Sequence, residues 1–299
     1  MTAVDASETS TRKYIGRFAP SPTGPLHFGS LVAALASWLD ARSNDGSWLL
    51  RIEDLDPPRE DPSAPDTIKR QLETLGLIWD GVPLYQSTRQ DAYDEALNEL
   101  RKKDMVFVCT CSRKSIRGVY PGNCREKRLE ESATGACAIR LRVPQKIATF
   151  NDRISGSHIF DLNNTVGDFI VRRRDGRTAY QLAVAVDDEY QNVTDIIRGD
   201  DLLDSTPRQL CIIEALGYQS VRYGHLPVIL GADHKKLSKQ AHAAPVSIEK
   251  PEKTIRDALL CLGQTSPPDT DNVQILLNWA IENWQPEMIP ARSTVWTPA

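Results

Sequence analysis

The sequence predicts an α/β fold in which a mainly parallel sheet is covered by helices. Three observations carry this: apolar, strand-like runs alternate with helix-period segments, a rigid Pro/Gly turn joins the first run to the first helix, and no apolar run approaches the length of a membrane span. Tyr14, Ile15 and Phe18 form the first strand, and Pro20, Pro22, Gly24 and Pro25 the turn. Phe28, Leu31, Val32, Leu35, Trp38 and Leu39 then recur at helical spacing. The backbone N–H groups near Gly29 and Ser30 therefore stand at a helix N-terminus, where an anion is favoured. His27 beside them either orients phosphates or simply satisfies the helix end.

The alternation continues along the chain. SWLLRIED (47–54) is an apolar run ending in acids, and Asp66 to Leu75 places Ile68, Leu72 and Leu75 on one helical face, stopped by Gly76. Ser87 with Gln90 is a capping-box pattern leading a helix through Tyr93, Leu97 and Leu100, followed by a short strand at 105–109. In such a fold ligands lie at the carboxyl ends of strands. From about 105 to 160 the rhythm is lost, with strand candidates such as AIRLRV (138–143), which marks an insertion. The sheet is expected to resume over 168–199, where Asp175-Gly176 signals a hairpin, and Thr206-Pro207 starts a helix closed by Gly217. Beyond 245 two helical faces follow, Ile255/Leu259/Leu262 and Val273/Leu276/Leu277/Ala280. Roughly sixty residues follow Gln240, about half a typical domain, so no complete further domain is expected there. The first dozen residues are small and polar, without the charged and apolar regions of a targeting peptide, and predict a disordered tail.

The net charge of −4 excludes a protein that is basic throughout, but leaves room for a local nucleic-acid patch. Such a patch exists between 112 and 128, where Arg113, Lys114, Arg117, Arg125, Lys127 and Arg128 face the single acid Glu126; RNA contact is expected, with a solvated face as the alternative. Arg172, Arg173, Arg174 and Arg177 form a second cluster, which reads equally as the exposed face of a hairpin. Six cysteines in a chain this long do not make a secreted disulfide framework. Cys109, Cys111 and Cys124 instead suggest a metal site bracing the insertion, with Cys137 and His158 as further candidate ligands and unligated thiols as the alternative.

RFAPSPTGPLHFGS (17–30) resembles the signature of class I glutamyl-type aminoacyl-tRNA synthetases, with Ser30 where a second His is commoner. Lys236-Leu237-Ser238-Lys239-Gln240 resembles the family's second ATP signature, with Gln240 where a Ser is commoner. The resemblance runs from about residue 13 to 245, and the Cys/Cys/Tyr/Cys pattern resembles that of the family's short paralogues, in which a tyrosine, here Tyr120, is the fourth ligand. It implies a Rossmann-like class I synthetase catalytic domain: a first half at 13–104 after the tail 1–12, a zinc-bearing insertion at 105–165, a second half at 166–245 and a short helical C-terminal segment at 246–299. It also implies that His27 and Lys239 are catalytic and that His27, Gly29, Ser30, Lys236, Ser238 and Lys239 hold ATP. Glutamate would lie against Arg17, Phe18, Ala19, Pro20, Ser21, Glu53, Tyr180 and Arg198. The chemistry suits this assignment: two carboxylates and an ammonium call for Arg17 and Arg198, for Glu53, and for hydroxyl donors such as Ser21 and Tyr180. Without the resemblance, Glu53 and Arg198 read as an ordinary rim ion pair.

The function so implied is activation of L-glutamate by ATP, with Mg²⁺ on the phosphates and without tRNA, giving glutamyl-adenylate. Transfer to the queuosine base in the anticodon of tRNA(Asp) would follow, in a cytoplasmic monomer with Zn²⁺ in its insertion and no membrane partner. Two alternatives are a truncated glutamyl-tRNA synthetase charging a tRNA 3′ end and a non-catalytic zinc- or RNA-binding paralogue.

Overall fold

A computed structural model describes residues 12–131, 136–231 and 244–296, except the side chain of Arg113. The expected tail, apart from Arg12, and the second ATP signature at 236–240 lie outside the described residues. Arg12 donates to the carbonyls of Ser220 and Val193 (3.2 and 3.5 Å).

Strand β1 (Ile15–Phe18) runs through the Pro/Gly turn into helix α1 (Phe28–Ser43), and β2 (Ser47–Ile52) returns parallel to β1 with Phe18 opposite Leu50. Helix α2 (Ala64–Thr74) and β3 (Leu84–Tyr85), which pairs parallel with β2, extend this side of the sheet. Helix α3 (Gln90–Lys102) follows, but its expected capping box does not form. Ser87 gives its N–H and hydroxyl to the carboxylate of Asp54 (2.8 and 2.6 Å), a charged acceptor stronger than the Gln90 side chain.

The insertion is antiparallel. Strands β4 (Val106–Cys109) and β5 (Ala138–Leu141) pair, β6 (Ile147–Asp152) and β7 (Gly156–Asp161) form a separate hairpin, and β8 (Ile170–Arg172) pairs with β5. The strand at the start of 168–199 therefore joins this sheet and not the parallel one. Asp175-Gly176 does turn the chain, with Gly176 at φ +81° and an isolated bridge from Arg172 to Thr178. No second strand follows, because α4 (Tyr180–Tyr190) begins two residues later. The parallel rhythm resumes with α4, β9 (Asp195–Gly199), α5 (Thr206–Leu216, closed by Gly217 in the left-handed conformation) and β10 (Arg222–Leu226), which is parallel to β9. After β11 (Ile229–Leu230) come α6 (Pro251–Cys261), α7 (Val273–Glu282) and β12 (Thr294–Val295), which pairs parallel with β11.

Two parallel pieces meet at β1. The Thr194 N–H bonds the Ile15 carbonyl (2.9 Å), and the Ile15 N–H bonds Thr194 Oγ1 (2.8 Å). Strands β2 and β3 build away from β1 on one side, β9 and β10 on the other. That reversal opens a crevice at the carboxyl ends of β1 and β9.

Helix α1 is buried around most of its circumference, from Leu31 and Val32 through the run Ala34–Ala41. One apolar stripe would suffice for a helix lying on a sheet. Here α6 and α7 cover the opposite face, so the C-terminal segment shares the main core with Leu259, Leu262 and Leu277. Phe28 stacks on Trp296 at 3.9 Å, and Trp284 Nε1 donates to Asp40 (3.1 Å). No helix among the described residues is long and apolar enough to cross a membrane.

The turn from α1 to β2 leaves no room at Gly46, where an added Cβ would lie 2.7 Å from the Tyr14 carbonyl oxygen and 2.9 Å from that of Ala41. Neither oxygen moves easily, since the Ser47 and Gly46 N–H groups bond them. Gly46→Ala is therefore expected to lose about 1–3 kcal/mol of stability by overpacking, measured by urea unfolding.

Candidate functional site

A cleft of about 540 Å³ lies at the crevice. The end of β1 and its turn bring Arg17 to Ser21, the end of β2 brings Glu53, and β9 brings Arg198. His27, Gly29 and Ser30 enter from the start of α1, and Tyr180 from the start of α4. All predicted site residues of the nucleotide-binding halves that are described thus line one cavity; Lys236, Ser238 and Lys239 lie outside the described residues. At the helix start His27 is the N-cap: its Nδ1 accepts the Ser30 N–H (3.2 Å), and its Nε2 lies 2.9 Å from Ser30 Oγ. The Ser30 N–H is therefore taken by His27, while His27 itself still faces the cleft.

The floor of the cleft is a buried charge network. Arg17 meets Asp188 (3.2 and 3.5 Å), Asp188 also accepts from Arg51 (2.7 Å), and Arg51 reaches Glu53 (3.4 Å) and Gln191 (2.9 Å). Arg51 is fully buried in an otherwise apolar strand. Burial works to raise the pKa of Asp188, but Arg17 and Arg51 outweigh it and hold the carboxyl below its usual range. Burial raises Glu53, with Arg51 and Arg17 opposing. It also pushes the Tyr180 phenol up to about 12, reinforced by Glu53.

Arg198 is not the rim partner of Glu53. It is 4% exposed, and its guanidinium donates to neutral acceptors: His225 Nε2 (3.1 Å), Gln209 Oε1 (2.8 Å), Thr206 Oγ1 (2.8 Å) and the Leu202 carbonyl (3.4 Å). Among the described residues no carboxylate lies within ion-pair distance of it, and burial lowers its pKa. Among the described residues the cleft is thus left with one buried cation that no carboxylate compensates, since Arg17 and Arg51 are matched by Asp188 and Glu53. A buried charge needs a partner, so the site calls for an anionic ligand.

In the insertion, Cys109, Cys111 and Cys124 have sulfurs within 4.8 Å of one another. Tyr120 Oη lies 3.5 Å from Cys109 Sγ and 3.8 Å from Cys111 Sγ, and Cys111 and Cys124 are 3.6 Å apart. A tetrahedral ion about 2.3 Å from each sulfur requires S···S separations of about 3.8 Å, so the four side chains fit a metal ion. Burial pushes the Cys124 thiol up, but hydrogen bonds from Tyr120, the Thr110 N–H and Cys111 bring it down to about 6, toward the thiolate that ligates. Cys137 and His158 are not in this cluster; His158 packs on Phe150 and Phe160 in the β6–β7 hairpin. Of the nearby basic residues, Arg125 is tied to Asp168, while Lys114, Arg117, Lys127 and Arg128 are exposed. The 172–177 arginines are engaged: Arg172 with Asp94, Arg173 and Arg177 with Asp56 and Asp175, and Arg174 with backbone carbonyls. They are a paired hairpin face.

Arg51, Asp188 and His225 were not foreseen from the sequence, although each interrupts an apolar run (SWLLRI, LAVAVDD, YGHLPVIL) in a way that hints at a buried partner. Asp152, in NDRISG, looks like an ordinary turn residue and gives no such hint. Because its folded-state pKa is depressed, Asp188 contributes stability above the usual carboxylate range, and that contribution is lost as acid protonates it. Asp188→Asn should cost about 3–5 kcal/mol near neutral pH by leaving two buried arginines with Glu53 as their one remaining carboxylate among the described residues. The difference from the unaltered protein should shrink below about pH 4, as followed by denaturant titrations across pH.

Comparison with known proteins supplies the family. The family model described as tRNA synthetases class I (E and Q), catalytic domain, matches residues 13–260. A glutamyl-Q tRNA(Asp) synthetase of Pseudomonas fluorescens is 48% identical over 292 residues, covering 96% of this chain and 97% of the relative. One from Pseudomonas putida strain W619 is 49% identical over 288 residues, covering 95% and 97%. Among solved structures, a glutamate-tRNA synthetase from Elizabethkingia anophelis superposes with a TM-score of 0.82 at 26% identity, over 95% of this chain and 68% of that one. A glutamate tRNA ligase from Elizabethkingia meningosepticum, in complex with its amino acid, gives the same TM-score and identity over 95% and 67%. Spanned by that model over most of its length and nearly half identical to such relatives, the chain belongs to the class I (E and Q) tRNA synthetase catalytic-domain family and is a ligase-type enzyme.

Proposed function

We propose that the cleft activates L-glutamate with ATP in the absence of tRNA, and that the enzyme then transfers the glutamyl group to the queuosine base in the anticodon of tRNA(Asp). The observation that carries the first half is Arg198, a buried cation that has no carboxylate partner among the described residues, in a cleft whose other described buried charges balance. Glutamate carries one net negative charge and restores neutrality; glutamine, with none, leaves Arg198 uncompensated, the kind of mismatch that yields large selectivity. Glu53 suits the ammonium, Arg17 and Arg198 the carboxylates, and Ser21, Tyr180 and the Phe18–Pro20 backbone the remaining polar edges.

A glutamate α-carboxylate oxygen attacks the ATP α-phosphorus in line, and the bond to pyrophosphate breaks. His27, Gly29 and Ser30 at the α1 N-terminus favour the phosphates, which carry Mg²⁺ as part of the substrate. Lys236, Ser238 and Lys239 are proposed to neutralise the departing pyrophosphate. In support, the chain just after that motif returns beside His27: Pro245 bridges His27, and the Val246 N–H bonds the Leu26 carbonyl (2.8 Å). A cyclopentene-diol hydroxyl of queuosine then attacks the acyl carbon and AMP leaves. The transfer step rests on the names of the relatives. The exposed Lys114, Arg117, Lys127 and Arg128 are proposed to meet the RNA backbone, and Cys109, Cys111, Tyr120 and Cys124 to hold Zn²⁺ that braces this surface. A cytoplasmic monomer fits the reading.

Glutamate-dependent ATP–pyrophosphate exchange without tRNA tests the first step, and labelled-glutamate transfer to tRNA(Asp) with and without queuosine tests the second. Exchange that needs tRNA, transfer to a 3′ end, or absence of turnover would overturn the proposal. Lys239→Ala should lower exchange by about 10²-fold or more with unfolding unchanged. Metal analysis should find one zinc per chain, with a lower content in Tyr120→Phe and a melting point that falls on chelation.

A further inference from the structure

Behind Arg198 lies a buried chain of side chains drawn from three separate segments. Arg198 on β9 donates from Nε to His225 Nε2 on β10 (3.1 Å), and His225 Nδ1 meets Asp152 Oδ2 at the end of β6 (2.6 Å). Asp152 is fixed in turn: its Oδ1 accepts the N–H groups of Ile154 (3.0 Å), Ser155 (2.8 Å) and His225 (3.0 Å). All three side chains are buried, His225 at 1% exposure and Asp152 at 6%. The imidazole also stacks along Tyr223 (6.0 Å between rings), over which the Arg198 guanidinium sits at 5.2 Å, and Thr206 Oγ1 lies 3.1 Å from Nε2.

The tautomer follows from these partners. The Asp152 carboxylate only accepts, so His225 carries its proton on Nδ1 and presents a lone pair at Nε2. That lone pair is what an Arg198 Nε–H requires; a proton there would set donor against donor and cation against cation. Burial, opposed by Asp152, holds the imidazole below its usual pKa range and so favours the neutral ring.

We infer that Asp152 and His225 are positioning residues that orient the Arg198 guanidinium for the substrate carboxylate, Asp152 by fixing the His225 tautomer and His225 by accepting from Arg198 Nε. The inference rests on the reading of Arg198 as a carboxylate-binding residue. It gives the insertion's hairpin a part in amino-acid recognition, because Asp152 belongs to that hairpin while Arg198 belongs to the parallel sheet.

Asp152→Asn is the informative substitution, being nearly isosteric. The amide it introduces can keep the backbone N–H groups on its oxygen, but its N–H group then faces Nδ1, so the His225 proton moves to Nε2 and opposes Arg198. In ATP–pyrophosphate exchange the glutamate KM should rise about tenfold or more, with the ATP KM within about twofold. Nitrogen-15 NMR of the ring should show the proton on Nδ1 in the unaltered protein and on Nε2 in the variant. His225→Gln keeps an acceptor toward Arg198 without needing Asp152, so adding Asp152→Asn to it should change the glutamate KM little. An unchanged glutamate KM in a folded Asp152→Asn protein overturns the inference, as do equal rises in both KM values or an Nε2–H tautomer in the unaltered protein. If the unaltered protein shows no glutamate-dependent exchange, the underlying reading fails and the inference falls with it; exchange with an indifferent Asp152→Asn sinks the inference alone. Should Asp152→Asn not fold, the ring spectrum of the unaltered protein and the glutamate KM of His225→Gln against His225→Leu, with only the latter raised, decide the matter.

Discussion

Asp188 is the carboxylate on which the centre of the molecule depends. It lies on α4 and bonds both Arg17 at the end of β1 and Arg51 inside β2, tying a helix from the second half to two adjacent strands of the first. Neither arginine has a bulk-water alternative, as both are buried, so the pairing is obligatory and not decorative. With Asp188 in place Arg17 is held at the cleft wall, and Arg51 is free to steer Glu53 toward the same space. Among the described residues the buried charge left over is that of Arg198.

The topology supplies the space those charges face. Because strand order reverses at β1, the chain ends of β1 and β9 diverge, and the N-terminus of α1 points into the gap. The insertion does not hang from this body by its ends alone. Its hairpin sends Asp152 to His225 and the adjacent Arg153 to Asp40 (2.6 Å) and Asp195 (3.2 Å), so two consecutive residues lock it to the α1 and β9 sides of the catalytic body. The cysteine–tyrosine cluster lies in the same insertion, within a small core of Phe107, Cys109, Tyr120 and Cys124.

The C-terminal helices complete what the parallel sheet leaves open. Helix α1 presents apolar side chains on nearly every face, and only with α6, α7 and Trp296 laid across it are all of them covered. The parallel pairing of β12 with β11 brings the end of the chain back beside the strand that precedes residues 232–243. The C-terminal segment is thus structural support for the catalytic body.

What the sequence determined by itself was local: the strand, Pro/Gly turn and helix of 14–43, the helices about Ile68, Leu97, Leu210, Leu259 and Leu276, and the spacing of Cys109, Cys111, Tyr120 and Cys124. Such signals lie within a few residues of one another, so periodicity and motif are enough to expose them. The residues gathered in the cleft were legible only through family resemblance, since Arg17 and Arg198 in isolation look like any other arginines. Tertiary structure alone decided the rest: that 170–172 joins the antiparallel sheet, that Ser87 serves Asp54 and not a capping box, that Arg51 and Asp188 balance the cleft, and that Asp152 stands behind His225. Arg17 and Asp188 are 171 residues apart and Asp152 and His225 are 73 apart. A buried charge is indistinguishable from a solvated one until the fold supplies its neighbour, and no local pattern encodes a neighbour at that distance.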